Sequence, residues 1–218
     1  EIYDNEWTDA YQELADDMDL SDEAVVTFLL KILMNAFRRC KEITWDRYES
    51  LKLLASTIDV KQENIPSMRE SGNKICTQST SLTSTLSIDQ ERSLKNICRA
   101  VSIKLKDESL KLLCANLMTS LGKPETEMPN TSKYITCCAE LCWKMGLQEK
   151  PMHLDVNAEK DIGHEKQFDT DKFRPYTKTG KNVAFVVWPA LFLHEGGAIL
   201  AKGIAQGCKK RVSSKLSE

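Results

Sequence analysis

The chain has 218 residues, 41% of them hydrophobic, which is enough for one large domain or two small ones with a substantial core. Its formal net charge of −2 excludes a polycationic or polyanionic molecule. The charges are nevertheless segregated, since residues 1–23 hold ten acidic and no basic residues, and residues 172–218 hold nine Lys or Arg and two Glu. A basic end indicates an anionic partner, such as a membrane lipid, a nucleic acid or an acidic protein surface, or else pairing with the acidic start inside the fold.

The eight cysteines lie mostly in apolar helical patterns. This placement indicates buried, reduced thiols and a reducing intracellular compartment. A transmembrane helix needs about 20 mostly apolar residues. The best candidate, 183–205, is interrupted by Pro189, Glu195 and Lys202, so we expect no membrane-spanning helix.

Helical spacing of apolar residues predicts three helices before residue 56. The first is acidic and carries Trp7. Ser21 is expected to cap the second, whose body from Val25 to Phe37 is apolar on most faces and therefore central and buried. Thr44 is expected to cap the third.

Residues 56–87 lose this periodicity and predict a long Ser/Thr-rich loop. Ser87 and Gln90 then have the spacing of a capping box. Two helical stripes follow, with Gly122 placed as a stop signal, and a further helix is predicted from about Thr131 to Met145.

The remainder of the chain predicts little regular structure. Residues 147–182 are polar and are expected to be irregular, and 183–188 suit one short buried strand or a helix. Pro189 fits the first turn of a short helix, and a final helix is expected from about Ala198. The predicted fold class is therefore mainly α: a single multi-helix domain over 1–212, with long irregular loops and a flexible tail at 213–218.

The sequence contains only incomplete forms of the motifs for catalysis and metal binding, because residues that these motifs require are missing at the expected spacing. His194-Glu195 lacks the second His that a zinc-protease HExxH motif needs, because position 198 is Ala. Lys181 lacks the neighbours that a P-loop requires. Cys138 and Cys142 form no CxxC pair and are expected to pack in the core. We therefore expect that the protein is not an enzyme and that it binds neither a cofactor nor a metal.

The basic end of the chain is the strongest candidate for a binding site. Arg174, Lys178 and Lys181 flank an irregular loop, and Lys202 lies in an apolar segment where a charge needs a partner. Phosphate is typically bound by Lys and Arg together with backbone N–H groups. We interpret these four residues as a phosphate-binding set, and the wall of the pocket is assigned to a neighbouring group: His194, Gly196, Gly197 and Gly203.

Two stretches resemble the carboxyl-terminal domain of the mitochondria-eating protein family. They are RPYTKTGKNVAFVVWPALFLHEGGAILAKGIAQG, residues 174–207, and DNEWTDAYQEL from Asp4. The resemblance spans nearly the whole chain and implies a non-enzymatic role in mitochondrial quality control and in mitophagy, the clearance of damaged mitochondria. It also implies cardiolipin, a doubly anionic phospholipid, as the ligand, the mitochondrial membrane surface as the partner, and a cytoplasmic and mitochondrial location, at the outer membrane or in the matrix.

A protein–protein interaction module is the alternative. It would dock mitochondrial receptor proteins or self-associate as a homo-oligomer, through the acidic start or through exposed aromatic residues such as Trp7. An enzyme of lipid metabolism would need a nucleophile or a metal, neither of which the sequence offers. Nucleic acid is not an expected partner, because no basic motif with interleaved aromatic residues is present.

Overall fold

A computed structural model describes residues 5–18, 20–63, 86–121, 126–162 and 165–209. Helices occupy the first two thirds of the chain and strands the last third. The helices are α1 (Glu6–Met18), α2 (Asp22–Glu63), α3 (Ile88–Lys104), α4 (Lys106–Leu121) and α5 (Pro129–Gly146). The strands are β1 (His153–Asp155), β2 (Glu159–Ile162), β3 (Glu165–Phe168), β4 (Phe173–Pro175), β5 (Asn182–Trp188), β6 (Ala190–Phe192), β7 (Ile199–Ala201) and β8 (Gly203–Cys208).

The prediction of a mainly α chain with an irregular segment at 147–182 is wrong. The described residues contain eight strands in three sheets, four of those strands lie within 147–182, and the fold is a mixture of helix and sheet. Of the two alternatives for 183–188, the strand is confirmed as β5, although most of its residues are only partly buried. The short helix after Pro189 is instead β6, and the final helix from Ala198 is instead β7 and β8. Strands of three or four residues are too short to display an alternating pattern, so periodicity could not separate them from loops.

The second and third predicted helices are one continuous helix, α2, and the expected cap at Thr44 is wrong. No Gly or Pro interrupts the sequence between them, so the backbone hydrogen bonds can continue through Thr44. The same helix extends to Glu63, into the predicted loop 56–87. The rest of that predicted loop, 64–85, lies outside the described residues, as do Gly122 and the predicted tail 213–218.

The chain divides into two compact units. The larger unit combines residues Glu1–Glu42 with Leu105–Glu218, and the smaller unit is Ile43–Lys104. In the smaller unit, Leu94 and Cys98 of α3 are buried, and the Cys98 thiol donates to the Thr44 carbonyl oxygen over 3.8 Å. The capping box that begins α3 is confirmed: the Gln90 amide donates to Ser87 Oγ, and the Ser87 amide donates to Gln90 Oε1.

The helical core of the larger unit lies among α1, α2, α4 and α5. Trp143 and Tyr134 of α5 are almost completely buried, and the Tyr134 hydroxyl donates to the Leu29 carbonyl of α2 at 3.3 Å. The Glu13 carboxylate of α1 accepts the Asn130 and Thr131 amides at 3.0 and 2.7 Å. A carboxylate at this position satisfies two N–H groups that the first turn of α5 would otherwise leave unpaired, and it complements the helix dipole.

The described strands of the larger unit form three small sheets. The orders are β1-β6-β7, β2-β3 and β4-β8-β5. A small apolar core is shared by several of these strands. Phe173, Ala190 and Ala205 are buried in it, and Phe168 and Phe192 pack against them. Because each sheet is short, it is this shared core that positions the turns and loops at the strand ends.

Candidate functional site

Strand β8 is the central strand around which the basic end of the chain is arranged. It runs parallel to β4, with Phe173 opposite Gly203 and Arg174 opposite Ile204. On its other edge it runs antiparallel to β5, with Asn182 opposite Cys208. The residues before and after β8 therefore lie at opposite ends of one three-stranded sheet.

The loop between β4 and β5 lies directly along the second half of β8. The Tyr176 amide donates to the Ala205 carbonyl at 2.9 Å, and the Gly207 amide donates to the Lys178 carbonyl at 3.0 Å. A Cβ built on Gly207 would lie 2.5 Å from the Gly180 nitrogen. Because Cβ atoms do not approach backbone this closely, glycine at 207 is what allows the loop to contact the strand.

Lys178 and Lys181 are held by this loop at the end of β8. Both side chains are exposed, and both backbones are fixed, because the Lys181 carbonyl also accepts the Phe168 amide at 2.7 Å. A fixed backbone with mobile, solvated ammonium groups suits a surface contact with an anion.

Arg174 and Lys202 lie at the start of the same strand. Both are exposed, and Lys202 Nζ donates to the Thr170 carbonyl oxygen at 2.8 Å. Asp171 is close enough that Lys202 contributes to lowering the pKa of its carboxyl, although the hydrogen bond from Lys160 is the larger cause. Lys202 is therefore held in place by a neutral carbonyl.

The four predicted phosphate ligands thus fall into two pairs. Gly203 and Gly207, which mark the two ends, are four residues apart, and a rise of about 3.3 Å per residue separates them by roughly 13 Å. The structure brings Arg174 near Lys202 and Lys178 near Lys181, one pair at each end of β8. A cavity of about 230 Å³ lies elsewhere, between α2 and α4, and is lined by Phe28, Ile32 and Leu117 among others.

Carboxylates pair with other lysines of this region. Lys160 pairs with Asp171 at 2.9 Å, and Lys172 pairs with Asp155 at 3.3 Å. Within the described part of the chain, no carboxylate lies within 4.0 Å of the basic groups of Arg174, Lys178 or Lys181. These three cations can therefore contact an external anion without first breaking an internal ion pair.

Three of the four predicted pocket-wall residues form the turn between β6 and β7. The Gly197 amide donates to the His194 carbonyl at 2.9 Å, and His194 Nδ1 lies 3.0 Å from the Glu195 carbonyl. Gly196 has a φ of 72°, which favours glycine, and Gly197 packs against the His194 ring. Gly203 lies apart from them, buried beneath the Phe173 ring at the start of β8.

The hairpin of β6 and β7 carries an apolar surface at positions where the sequence predicts helices. Leu193, Ile199 and Leu200 are 48%, 37% and 51% exposed. Glu195 in the same turn pairs with Lys41 of α2 at 3.4 Å. The two residues are separated by 154 positions in the sequence, so only the fold shows that Lys41 lies beside this turn.

Four of the described cysteines are buried: Cys40, Cys98, Cys138 and Cys142. Cys138 and Cys142 are 0% and 1% exposed, which confirms the prediction that they pack in the core. Burial raises the pKa of the Cys40 and Cys138 thiols to about 12. Among the residues that the structure describes, no group of three or more His, Cys, Asp or Glu side chains is arranged to hold a metal ion.

Comparison with protein families gives one decisive result: the family model described as "Mitochondria-eating protein" matches residues 1–207. The chain belongs to the mitochondria-eating protein family. Membership implies a role in mitochondrial quality control, and the family is not a known enzyme family. No curated protein and no solved structure is detectably similar to the chain. In the described residues, no helix combines the length and the apolar character needed to cross a bilayer.

Proposed function

We propose that this member of the mitochondria-eating protein family is a non-enzymatic domain that binds anionic phospholipid, with cardiolipin as the ligand, at a mitochondrial membrane surface. The single observation that supports the proposal most is the group of exposed cations at the two ends of β8, three of which have no carboxylate partner in the described chain. Cations on fixed backbone attract the negative surface of a cardiolipin-containing leaflet, and each contributes about 1 kcal/mol near such a surface.

The separation into two pairs suits a lipid with more than one phosphate. Arg174 and Lys202 would contact one phosphate, and Lys178 and Lys181 would contact another, on the same or on a neighbouring lipid. In this proposal the turn containing His194, Gly196 and Gly197 forms the wall beside the first pair. Gly203 supports that wall indirectly, by letting Phe173 pack over the start of β8.

Cosedimentation with vesicles tests the lipid class. Three compositions are compared at equal lipid concentration: phosphatidylcholine alone, phosphatidylcholine with cardiolipin, and phosphatidylcholine with phosphatidylglycerol at the same charge per area. We expect the strongest binding to cardiolipin and a steep loss of binding with added salt, because surface charges are screened within about 8–10 Å at physiological salt. Equal binding to the neutral vesicles would contradict the proposal.

A protein–protein interaction module remains the second candidate, and a feature of the smaller unit favours it. Trp45, Leu53 and Ile97 are 61%, 66% and 52% exposed, although all three are large and apolar. Exposed apolar groups of this kind are typical of protein interfaces. Trp7, by contrast, is only 8% exposed and lies against Tyr11 and Trp188, so it is not available for docking.

Sedimentation equilibrium distinguishes this second candidate. An interaction module that self-associates predicts a concentration-dependent oligomer that Trp45→Ser or Leu53→Ser disrupts, with vesicle binding unchanged. The lipid-binding proposal predicts a sedimentation profile that does not depend on Trp45 or Leu53, together with a preference for cardiolipin vesicles that an interaction module alone would not have.

A further inference from the structure

The hairpin made of β6 and β7 presents three large apolar side chains to solvent. Leu193 precedes the turn, and Ile199 and Leu200 follow it; we call these three residues the hairpin surface. All three residues of β7 are exposed, although side chains of a strand alternate between the two faces of its sheet. Neither face of β7 is therefore covered by the described part of the chain.

Cations border the hairpin surface. Lys202 follows β7 directly, and Lys41 contacts Glu195 in the turn at 3.4 Å. Arg38 is exposed on α2 about one turn before Lys41. Carboxylates accompany them, because Glu195 pairs with Lys41, Glu42 pairs with Arg38, and Asp171 lies near Lys202 and pairs with Lys160. Arg174 lies beside the start of β8, and no carboxylate of the described chain is within 4.0 Å of its guanidinium, so it adds an unpaired cation and the rim remains basic.

Strand β7 is poorly suited to pairing with a strand of another protein. It has only three residues, its register with β6 is shifted between Leu191 and Phe192, and Lys202 follows it directly. Short length, an irregular register and a terminal lysine are the devices by which edge strands avoid strand addition. An apolar surface with a basic rim and a protected edge fits a bilayer surface of negative charge better than it fits a peptide strand.

We propose that the hairpin surface enters the headgroup layer of an anionic bilayer and places Leu193, Ile199 and Leu200 among the upper acyl chains. This inference rests on the proposed phospholipid binding and names the element that contacts the acyl layer. β7 is the last strand in the order β1-β6-β7, so its outer backbone edge needs water or headgroups as hydrogen-bond partners. Penetration is therefore shallow.

Neutral substitutions test the proposal without changing the charge of the phosphate site. Leu200→Asn and Leu193→Asn are compared with Leu112→Asn, a control leucine that is 64% exposed on α4. On vesicles of phosphatidylcholine with cardiolipin, we expect each hairpin variant to bind about tenfold more weakly and the control to bind as the unmodified chain does. Urea unfolding of each variant shows whether it remains folded.

A depth measurement provides a second readout. In Leu200→Trp, the added fluorescence should be quenched by lipids brominated near the headgroup more strongly than by lipids brominated near the chain end. Equal binding of the hairpin variants, or no additional quenching in Leu200→Trp, would overturn the insertion while leaving the phospholipid binding intact.

Two other outcomes are also decisive. If the unmodified chain does not prefer cardiolipin vesicles to phosphatidylcholine vesicles, the proposed function fails and the insertion fails with it. If Leu200→Asn changes the oligomeric state in sedimentation equilibrium and not the vesicle binding, the hairpin pairs copies of the chain and the insertion is overturned.

Discussion

Gly203 shows how one residue can be required by packing alone. A Cβ at this position would lie 2.6 Å from the Trp188 carbonyl oxygen and would overlap the Phe173 ring. We expect Gly203→Ala to lower the free energy of unfolding by about 1–3 kcal/mol, because the ring and the strand must separate. Urea unfolding followed by circular dichroism measures the change.

Gly196→Ala is the matched control, since its Cβ would meet nothing within 4 Å and only its φ of 72° is unfavourable. Gly196→Ala should lower the free energy of unfolding by about 1 kcal/mol. A loss in Gly203→Ala no larger than in Gly196→Ala would contradict the packing account of β8.

The buried thiols predict a dependence of stability on pH. Burial raises the pKa of Cys40 and Cys138 from the ordinary 9.0 to about 12 and raises that of Cys142 as well. The unfolded chain therefore releases these protons at lower pH than the folded chain. The stabilisation is complete below pH 9 and declines as the pH rises from 9 towards 12.

The free energy of unfolding should fall by about 1 kcal/mol for each such thiol between pH 8.5 and pH 10. Urea titrations under reducing conditions at both pH values measure this change. Cys40→Ala should show a smaller decrease than the unmodified chain, by about the contribution of one thiol. An identical decrease in both proteins would show that Cys40 is not buried as described.

The sequence offers candidate residues but not their arrangement. Lys202 is a candidate because it is a charge in an apolar segment, and Arg174 is one because it flanks a polar, irregular loop. Their neighbourhood depends on the parallel pairing of β4 with β8, which joins residues about 30 positions apart and leaves no local signal. For the same reason, nothing in the sequence placed Lys41 beside Glu195.

At the scale of elements, one side chain of α1 caps the first turn of α5. Glu13 accepts two amides from the first turn of α5, at 3.0 and 2.7 Å. Glu13→Ala should lower the free energy of unfolding by about 1–2 kcal/mol, because both amides lose their acceptor. Glu13→Gln keeps an acceptor oxygen and loses the charge, so its free energy of unfolding should lie between those of the unmodified chain and Glu13→Ala.

Asp16→Asn is the control, because Asp16 has the same charge and, among the described residues, accepts its hydrogen bonds from the exposed Gln12 of its own helix. Thermal unfolding of the three variants provides the comparison. If Glu13→Ala is no less stable than Asp16→Asn, the contact between α1 and α5 does not depend on this cap.

Elements with a chemical stop or start signal could be predicted, and elements without one could not. The Ser87 capping box and the helix that ends at Gly146 are examples of success, because their signals are local. The strands between His153 and Cys208 average only a few residues and obtain their stability from pairing and from the shared Phe173 core. Both of those contributions are properties of the tertiary structure.

At the scale of the whole molecule, the separation of charge along the chain places cations at the two ends of β8 in the larger unit. The central claim is that both pairs hold phosphate. The decisive measurement is the affinity for phosphatidylcholine vesicles with cardiolipin of two charge-reversal variants, Arg174→Glu/Lys202→Glu and Lys178→Glu/Lys181→Glu. The control is Lys111→Glu/Lys133→Glu, which changes the net charge equally at two exposed helical positions.

We expect each of the two test variants to bind more than about tenfold more weakly than the unmodified chain, because each loses two cations and gains two anions at the membrane surface. The control should change the affinity by less than about threefold, since its charges lie away from β8 and are screened. Test variants that bind no more weakly than the control would contradict the account.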